Sequence, residues 1–265
     1  TKMFKGLGRA GATAILAWLA TMSMPASADE FIGGWQKKYP TVKYGVIPVE
    51  TQGQTTKSMD AFLAHAQKET GAKWELYTAT DYSGVMNALI AGQIHIAWLS
   101  GFSYCQTHMD SKGGVEALVA AQEPDGSMGY NAVIVVKSES PYQTYEDLKG
   151  KIVARTDPLS GSGYLIPTAA FRQMGKPIDE YYQSPLAGGH PQAVLGVLRG
   201  TYDGAFTWTS KNDNIGNLRQ MMNKGLLKRE QIRVVWTSPQ LPSPPVVIRK
   251  DLPIEMRNDL EKLFI

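Results

Sequence analysis

Cysteine is almost absent from this chain: Cys105 stands alone among 265 residues. One thiol excludes an intrachain disulfide and a cysteine-rich zinc site, and the residue is expected to be a small buried filler. Charge is also scarce, at 19% of residues against 43% hydrophobic ones. That ratio supplies a core and argues against wholesale disorder. Three of the 27 basic residues, Lys2, Lys5 and Arg9, lie in the first 28 positions, where no acid occurs; the other 24 face 24 acidic residues. This balance gives no basic footprint, so no nucleic-acid partner is expected. No Gly-Lys-Ser/Thr follows a glycine-rich loop, which excludes a P-loop. The nucleophile elbow G-x-S-x-G is missing. No cluster of histidines and carboxylates has metal-ligand spacing. Neither a metal nor a cofactor is expected.

Long apolar runs are missing too. The run 10–22 follows Lys2, Lys5 and Arg9 and precedes the small-residue site Ala26-Ser27-Ala28. Basic, apolar and small segments in that order predict a signal peptide over 1–28. The apolar run is shorter than the roughly 20 residues a membrane span needs, and no later stretch is long enough. An exported chain with one cysteine points to a bacterial periplasm.

The rest alternates between two periods. Strand-like runs at 41–48, 73–77 and 94–99 flank helix-like runs at 55–70 and 81–89. Further strands are expected at 115–121, 131–137, 151–155, 202–206, 232–236 and 244–249, and helices at 168–174, 191–199 and 253–264. Such alternation predicts an α/β protein with mostly parallel sheets, whose ligands sit beyond the carboxyl ends of strands. Ala88 to Ala97 and Val197 to Ala205 share a helix–Gly–strand pattern, which suggests two similar lobes.

The most informative stretch is Asp157-Pro158-Leu159-Ser160-Gly161-Ser162-Gly163-Tyr164-Leu165-Ile166-Pro167. It lies between a strand and a helix, and Pro167 places the helix start near 163–166. Loose N–H groups of Ser162, Gly163 and Tyr164, with the hydroxyls of Ser160 and Ser162, form an anion site without a cation. Gly161 and Gly163 allow close approach. The same residues would also serve as an ordinary helix cap. His190, between Gly189 and Pro191, opens a second helix and either joins that site or caps the surface. Tyr82 and Tyr130 are placed to send phenols into a cleft, or to sit half-buried without a role. Ser100, Ser103 and Tyr104 form a third polar strand end. His95 is expected to pack in the core, His65 and His108 to be exposed, and Asp203 to end a turn. Ser162, His190 and Asp203 have the residue types of a hydrolase triad, though not in the elbow hydrolases' chain order.

The loop 157–167, with Gly188-Gly189-His190, Gly200-Thr201-Tyr202-Asp203-Gly204, Asp81-Tyr82-Ser83-Gly84, Gly129-Tyr130 and 97–104, resembles the periplasmic phosphonate-binding proteins of ABC transporters, the PhnD-like family. The resemblance covers nearly all of the mature chain. It implies a two-lobed periplasmic binding protein fold (type II-like) with two crossing hinge strands, near 131–137 and 244–249, and ligand in the interlobe cleft. Lobe one would be 41–131 with 245–265, and lobe two 137–243. The resemblance places a phosphorus oxyanion against Tyr82, Tyr130, Ser160, Gly161, Ser162, Gly163 and His190. Gly161 stands where the family often has Thr, so one hydroxyl is missing. Family members that bind aminophosphonates use acids for the ammonium group. The stretch 207–213 gives no assignable acid, so 2-aminoethylphosphonate, phosphite and alkylphosphonates all stay open. Trp208 is placed to close a tail pocket. The implied partners are the small oxyanion and an ABC permease in the inner membrane; a monomer without catalytic activity is expected. The alternatives are a binder of another small anion, such as a sulfonate or a thiamine-like phosphate ester, and a secreted serine hydrolase acting on phosphate esters. A structural or sensor subunit would bind no small ligand tightly.

Overall fold

The computed structural model describes residues 31–49, 52–122, 126 and 128–265. The leader expected over 1–28 lies outside the described residues. The chain runs β1 (Thr41–Val46), α1 (Gln52–Thr70), β2 (Lys73–Thr78), α2 (Tyr82–Ile90), β3 (Ile96–Trp98), α3 (Gly101–Asp110) and β4 (Val115–Ala120). It continues through β5 (Asn131–Lys137), β6 (Val153–Ala154), a π-helical turn (Gly161–Leu165), α4 (Ile166–Gln173), α5 (Ile178–Tyr181) and α6 (His190–Arg199). It ends with β7 (Gly204–Thr209), α7 (Asn217–Asn223), β8 (Ile232–Thr237), β9 (Pro245–Arg249) and α8 (Ile254–Phe264).

These strands form two sheets, ordered β2-β1-β3-β9-β4 and β6-β7-β5-β8. Both are mixed rather than mostly parallel. β1 runs parallel to β2 and β3, and β6 to β7. β9 is antiparallel to β3 and β4, and β5 is antiparallel to β7 and β8. The physical reason is the connectivity: β5 and β9 each enter from the other sheet and need no helical crossover. Both are apolar where neighbours cover them: residues 132–136 and 245–248 are buried, and the polar Asn131, Lys137 and Arg249 lie at the strand ends.

The passages between sheets lie just before the strands expected to make them. β5 belongs wholly to the second sheet and β9 wholly to the first. The connections are therefore 121–130 and 238–244. They meet in an antiparallel bridge, where Tyr130 N–H donates to Leu241 O at 3.0 Å and Leu241 N–H to Tyr130 O at 2.7 Å.

Local chemistry sets the helix starts. Asp81 caps α2, its carboxylate accepting Gly84 N–H at 2.8 Å. Ser100 caps α3 in the same way, accepting Ser103 N–H at 3.1 Å. That helix turns Ser103 and Thr107 inward, leaving Cys105 exposed rather than buried. His108 is half-buried rather than exposed, with Nδ1 at 2.9 Å from Val115 O. At the first sheet's far end, buried Asp259 accepts Ile32 N–H, Gly33 N–H and Trp35 Nε1–H at 2.6–2.8 Å, which fastens the start of the described chain to α8. Among the described residues, no helix is long and apolar enough to cross a membrane.

Candidate functional site

The loop after β6 comes out as a wide helical turn. Asp157 folds the approach: one carboxylate oxygen accepts Leu159 N–H at 2.8 Å. The other accepts Tyr82 N–H, at the start of α2 on the first sheet, at 3.3 Å. Ser160 then caps the turn, Oγ accepting Gly163 N–H at 3.0 Å. Winding starts at Gly161, two residues earlier than the sequence suggests. The first bond of the turn is Leu165 N–H to Ser160 O at 3.0 Å, so the preceding N–H groups lie ahead of intrahelical bonding. Gly163 N–H, expected to be loose, is taken by Ser160.

Glycine is required here by contact. A Cβ on Gly163 would lie 1.7 Å from Thr156 Oγ1. One on Gly161 would lie 2.8 Å from Phe102 Cδ2 and 3.2 Å from Tyr130 Oη. The absence of a side chain at Gly161 thus lets the second sheet's loop meet Phe102, on α3.

Six of the seven expected residues line one pocket: Tyr82, Tyr130, Ser160, Gly161, Ser162 and His190. Gly163 does not reach its wall. Ser100 adds a hydroxyl, and Ile47, Val49, Trp98, Trp208 and Pro244 supply apolar walls. The pocket lies beyond the carboxyl ends of β1, β3 and β6, where ligands of open α/β sheets bind. The Tyr130 and Trp208 rings meet edge to face, 5.4 Å between centroids.

His190 is 2% exposed, and burial lowers its imidazole to about 3, so it is neutral near pH 7. Nε2 lies 3.2 Å from Ser160 Oγ, and Nδ1 lies 3.2 Å from Thr207 Oγ1. Thr207 Oγ1 also accepts from Asn217 Nδ2 at 3.0 Å. Burial raises the Tyr82 phenol above its ordinary range, partly offset by a hydrogen bond with Ser160. It pushes the Tyr130 phenol up to about 12. Both therefore stay protonated and able to donate.

Other candidates fall elsewhere. Asp203 accepts Tyr142 O–H at 2.8 Å and Ile152 N–H at 3.0 Å, so it fixes the second sheet. With Nδ1 facing Thr207 instead of a carboxylate, His190 does not complete a triad with Ser162 and Asp203. His95 is half-buried just ahead of β3 rather than packed in the core, its Nδ1 accepting Lys43 N–H at 2.9 Å. Among the described residues, no group of three or more His, Cys, Asp or Glu could hold a metal. Thr207 and Asn217, which back His190, were not singled out for that place by sequence; Asn217 leaves no sign there except a position just after Gly216.

The chain matches, over residues 44–265, the family described as periplasmic phosphonate substrate-binding protein of ABC transporters. It is 28% identical over 251 residues to the phosphonates-binding periplasmic protein of Escherichia coli, covering 93% of this chain and 70% of that one. It is 27% identical over 232 residues to the phosphate-import protein PhnD of Mycolicibacterium smegmatis, covering 84% and 71%. In fold it is similar to a binding component of a Pseudomonas aeruginosa ABC phosphonate transporter, with TM-score 0.77, 24% identity, and 85% and 74% of the two chains covered. A PhnD1 structure from Prochlorococcus marinus in complex with methylphosphonate gives TM-score 0.70 at 17% identity, over 84% and 83% of the chains.

Proposed function

Because this chain belongs to the periplasmic phosphonate substrate-binding proteins of ABC transporters, we propose that its pocket holds a phosphonate or related phosphorus oxyanion. The observation that carries the reading is the convergence of donors from both sheets on one small hollow. Tyr82 and Ser100 come from the first sheet's helix starts, Ser160, Ser162 and His190 from those of the second, and Tyr130 from between the sheets. Each reaches the pocket at or near a helix N-terminus or the interlobe connection. Two helix dipoles and several neutral donors stabilise an oxyanion without a buried cation.

Each sheet with its helices is a lobe, 41–120 plus 245–265 and 131–237, and the paired connections at Tyr130 and Leu241 are the hinge. An oxyanion bridging the lobes has higher affinity for the closed state and shifts the population towards it. The inner-membrane permease then reads the closed surface. The protein acts as a monomer in the periplasm, and the serine-hydrolase alternative is disfavoured because His190 faces Ser160 and Thr207 rather than Ser162 and a carboxylate.

Hydrogen bonds to a charged group are worth roughly 1.5–3 kcal/mol each. Ser162→Ala and His190→Ala are each expected to weaken binding about tenfold or more. Calorimetric titration with phosphite, phosphate, methylphosphonate and 2-aminoethylphosphonate tests this. Variants matching wild type would remove these residues from the site. Turnover of phosphate esters would favour a hydrolase.

A further inference from the structure

The chain Asn217–Thr207–His190–Ser160 is buried along its whole length: Asn217 and Thr207 are 0% exposed, His190 2% and Ser160 1%. Its bonds span two helices, a strand and the loop. The hydrogens in it can be placed by counting. Asn217 Nδ2 donates to Thr207 Oγ1 at 3.0 Å and lies 3.4 Å from Met221 Sδ, while Asn217 Oδ1 has no partner. With the amide turned over, the two N–H donors would lack these acceptors, leaving two unbonded groups in place of one. Thr207 therefore accepts from Asn217. Its own hydrogen has one acceptor within reach among the described residues, His190 Nδ1 at 3.2 Å. A neutral imidazole carries one hydrogen, which then sits on Nε2 and points at Ser160 Oγ, 3.2 Å away. Ser160 Oγ already accepts Gly163 N–H at 3.0 Å. Both its lone pairs are then engaged, and its hydroxyl hydrogen is turned outward to Tyr82 or the pocket.

We propose that Asn217 and Thr207 are positioning residues that lock His190 in the Nε2–H tautomer, so that the pocket offers donors to a guest that only accepts. Every step of the chain donates in one direction, from the protein interior towards the hollow. The guest that suits such a wall has oxygens free of hydrogens, as a fully ionised phosphonate or phosphite has. This assignment to the guest rests on the reading proposed above; the tautomer does not.

Nitrogen NMR of the full chain, labelled at histidine, reads the tautomer directly. His190 Nδ1 is expected in the unprotonated range and Nε2 in the protonated range. A protonated Nδ1 would overturn the proposal. Thr207→Val keeps the side chain's shape and removes the hydroxyl. It is expected to mix the tautomers and weaken phosphite or methylphosphonate binding about threefold to tenfold, while Thr207→Ser restores both within about twofold. Asn217→Asp supplies an acceptor in place of a donor and reverses the chain, so Nδ1–H is expected to become the main form. Wild-type spectra in both variants would refute the relay. If the Nε2–H form is found but no phosphorus oxyanion binds the wild type, the ligand reading fails while the relay stands. If oxyanions bind but Nδ1 carries the hydrogen, the reverse holds.

Discussion

Acidification probes the burial of His190. Its imidazole is 2% exposed and burial holds it at about 3, whereas an unfolded chain's histidine titrates near 6.5. Between those values the unfolded chain takes up a proton that the folded protein refuses. Stability is therefore full above about pH 6.5 and is lost as pH falls towards 3. One proton gives a slope of at most about 1.4 kcal/mol per pH unit. Going from pH 7 to 5, this residue alone costs about 2 kcal/mol. His95, lowered to about 4 chiefly by burial, adds a similar trend, so wild type must be compared with His190→Gln, where the other groups still titrate. Urea unfolding at half-unit steps from pH 7 to 4.5 provides the free energies. The wild-type curve should fall more steeply, and the gap between the two proteins should shrink by about 2 kcal/mol by pH 5. Parallel curves would mean that His190 is not held neutral by the fold.

Gly163→Ala would drive a Cβ into Thr156; a loss of about 1–3 kcal/mol in urea unfolding is expected, with more than a tenfold loss of oxyanion affinity by calorimetry. Asp259→Ala would strip three N–H donors of their acceptor and should lower stability by about 2–5 kcal/mol, read from the urea midpoint, with affinity unchanged. Among the described residues the pocket walls carry no charged side chain. n-Propylphosphonate should therefore bind at least about tenfold more tightly than its isostere 2-aminoethylphosphonate, whose ammonium would go unpaired; competition calorimetry checks the ranking.

Local signals carried a good part of this molecule. Residues 41–48 and 73–77 read as strands because a strand-like run is bounded by turn chemistry, and the strands themselves are Thr41–Val46 and Lys73–Thr78. Asp81 reads as a cap because its carboxylate serves an N–H three residues on. The loop at Ser160 was visible for the same reason, since strand, small residues and Pro167 all act within one turn. Residues 101–110 were less legible. Gly101, Phe102 and Tyr104 have no helical stripe, and the helix is held by the Ser100 cap and by burial of Ser103 and Thr107. The mixed strand directions follow from passages between sheets, which no window of sequence contains. Thr207 and Asn217 illustrate the limit best. They are ten residues apart, in a strand and a helix, and only the fold stacks them behind His190.

The bridge between Tyr130 and Leu241 ties access to geometry. Tyr130 is a pocket wall and also a rung of the two-ply strap joining the sheets. Flexing that strap displaces the phenol from its seat on Gly161. Any bend at that bridge would therefore move a wall of the pocket.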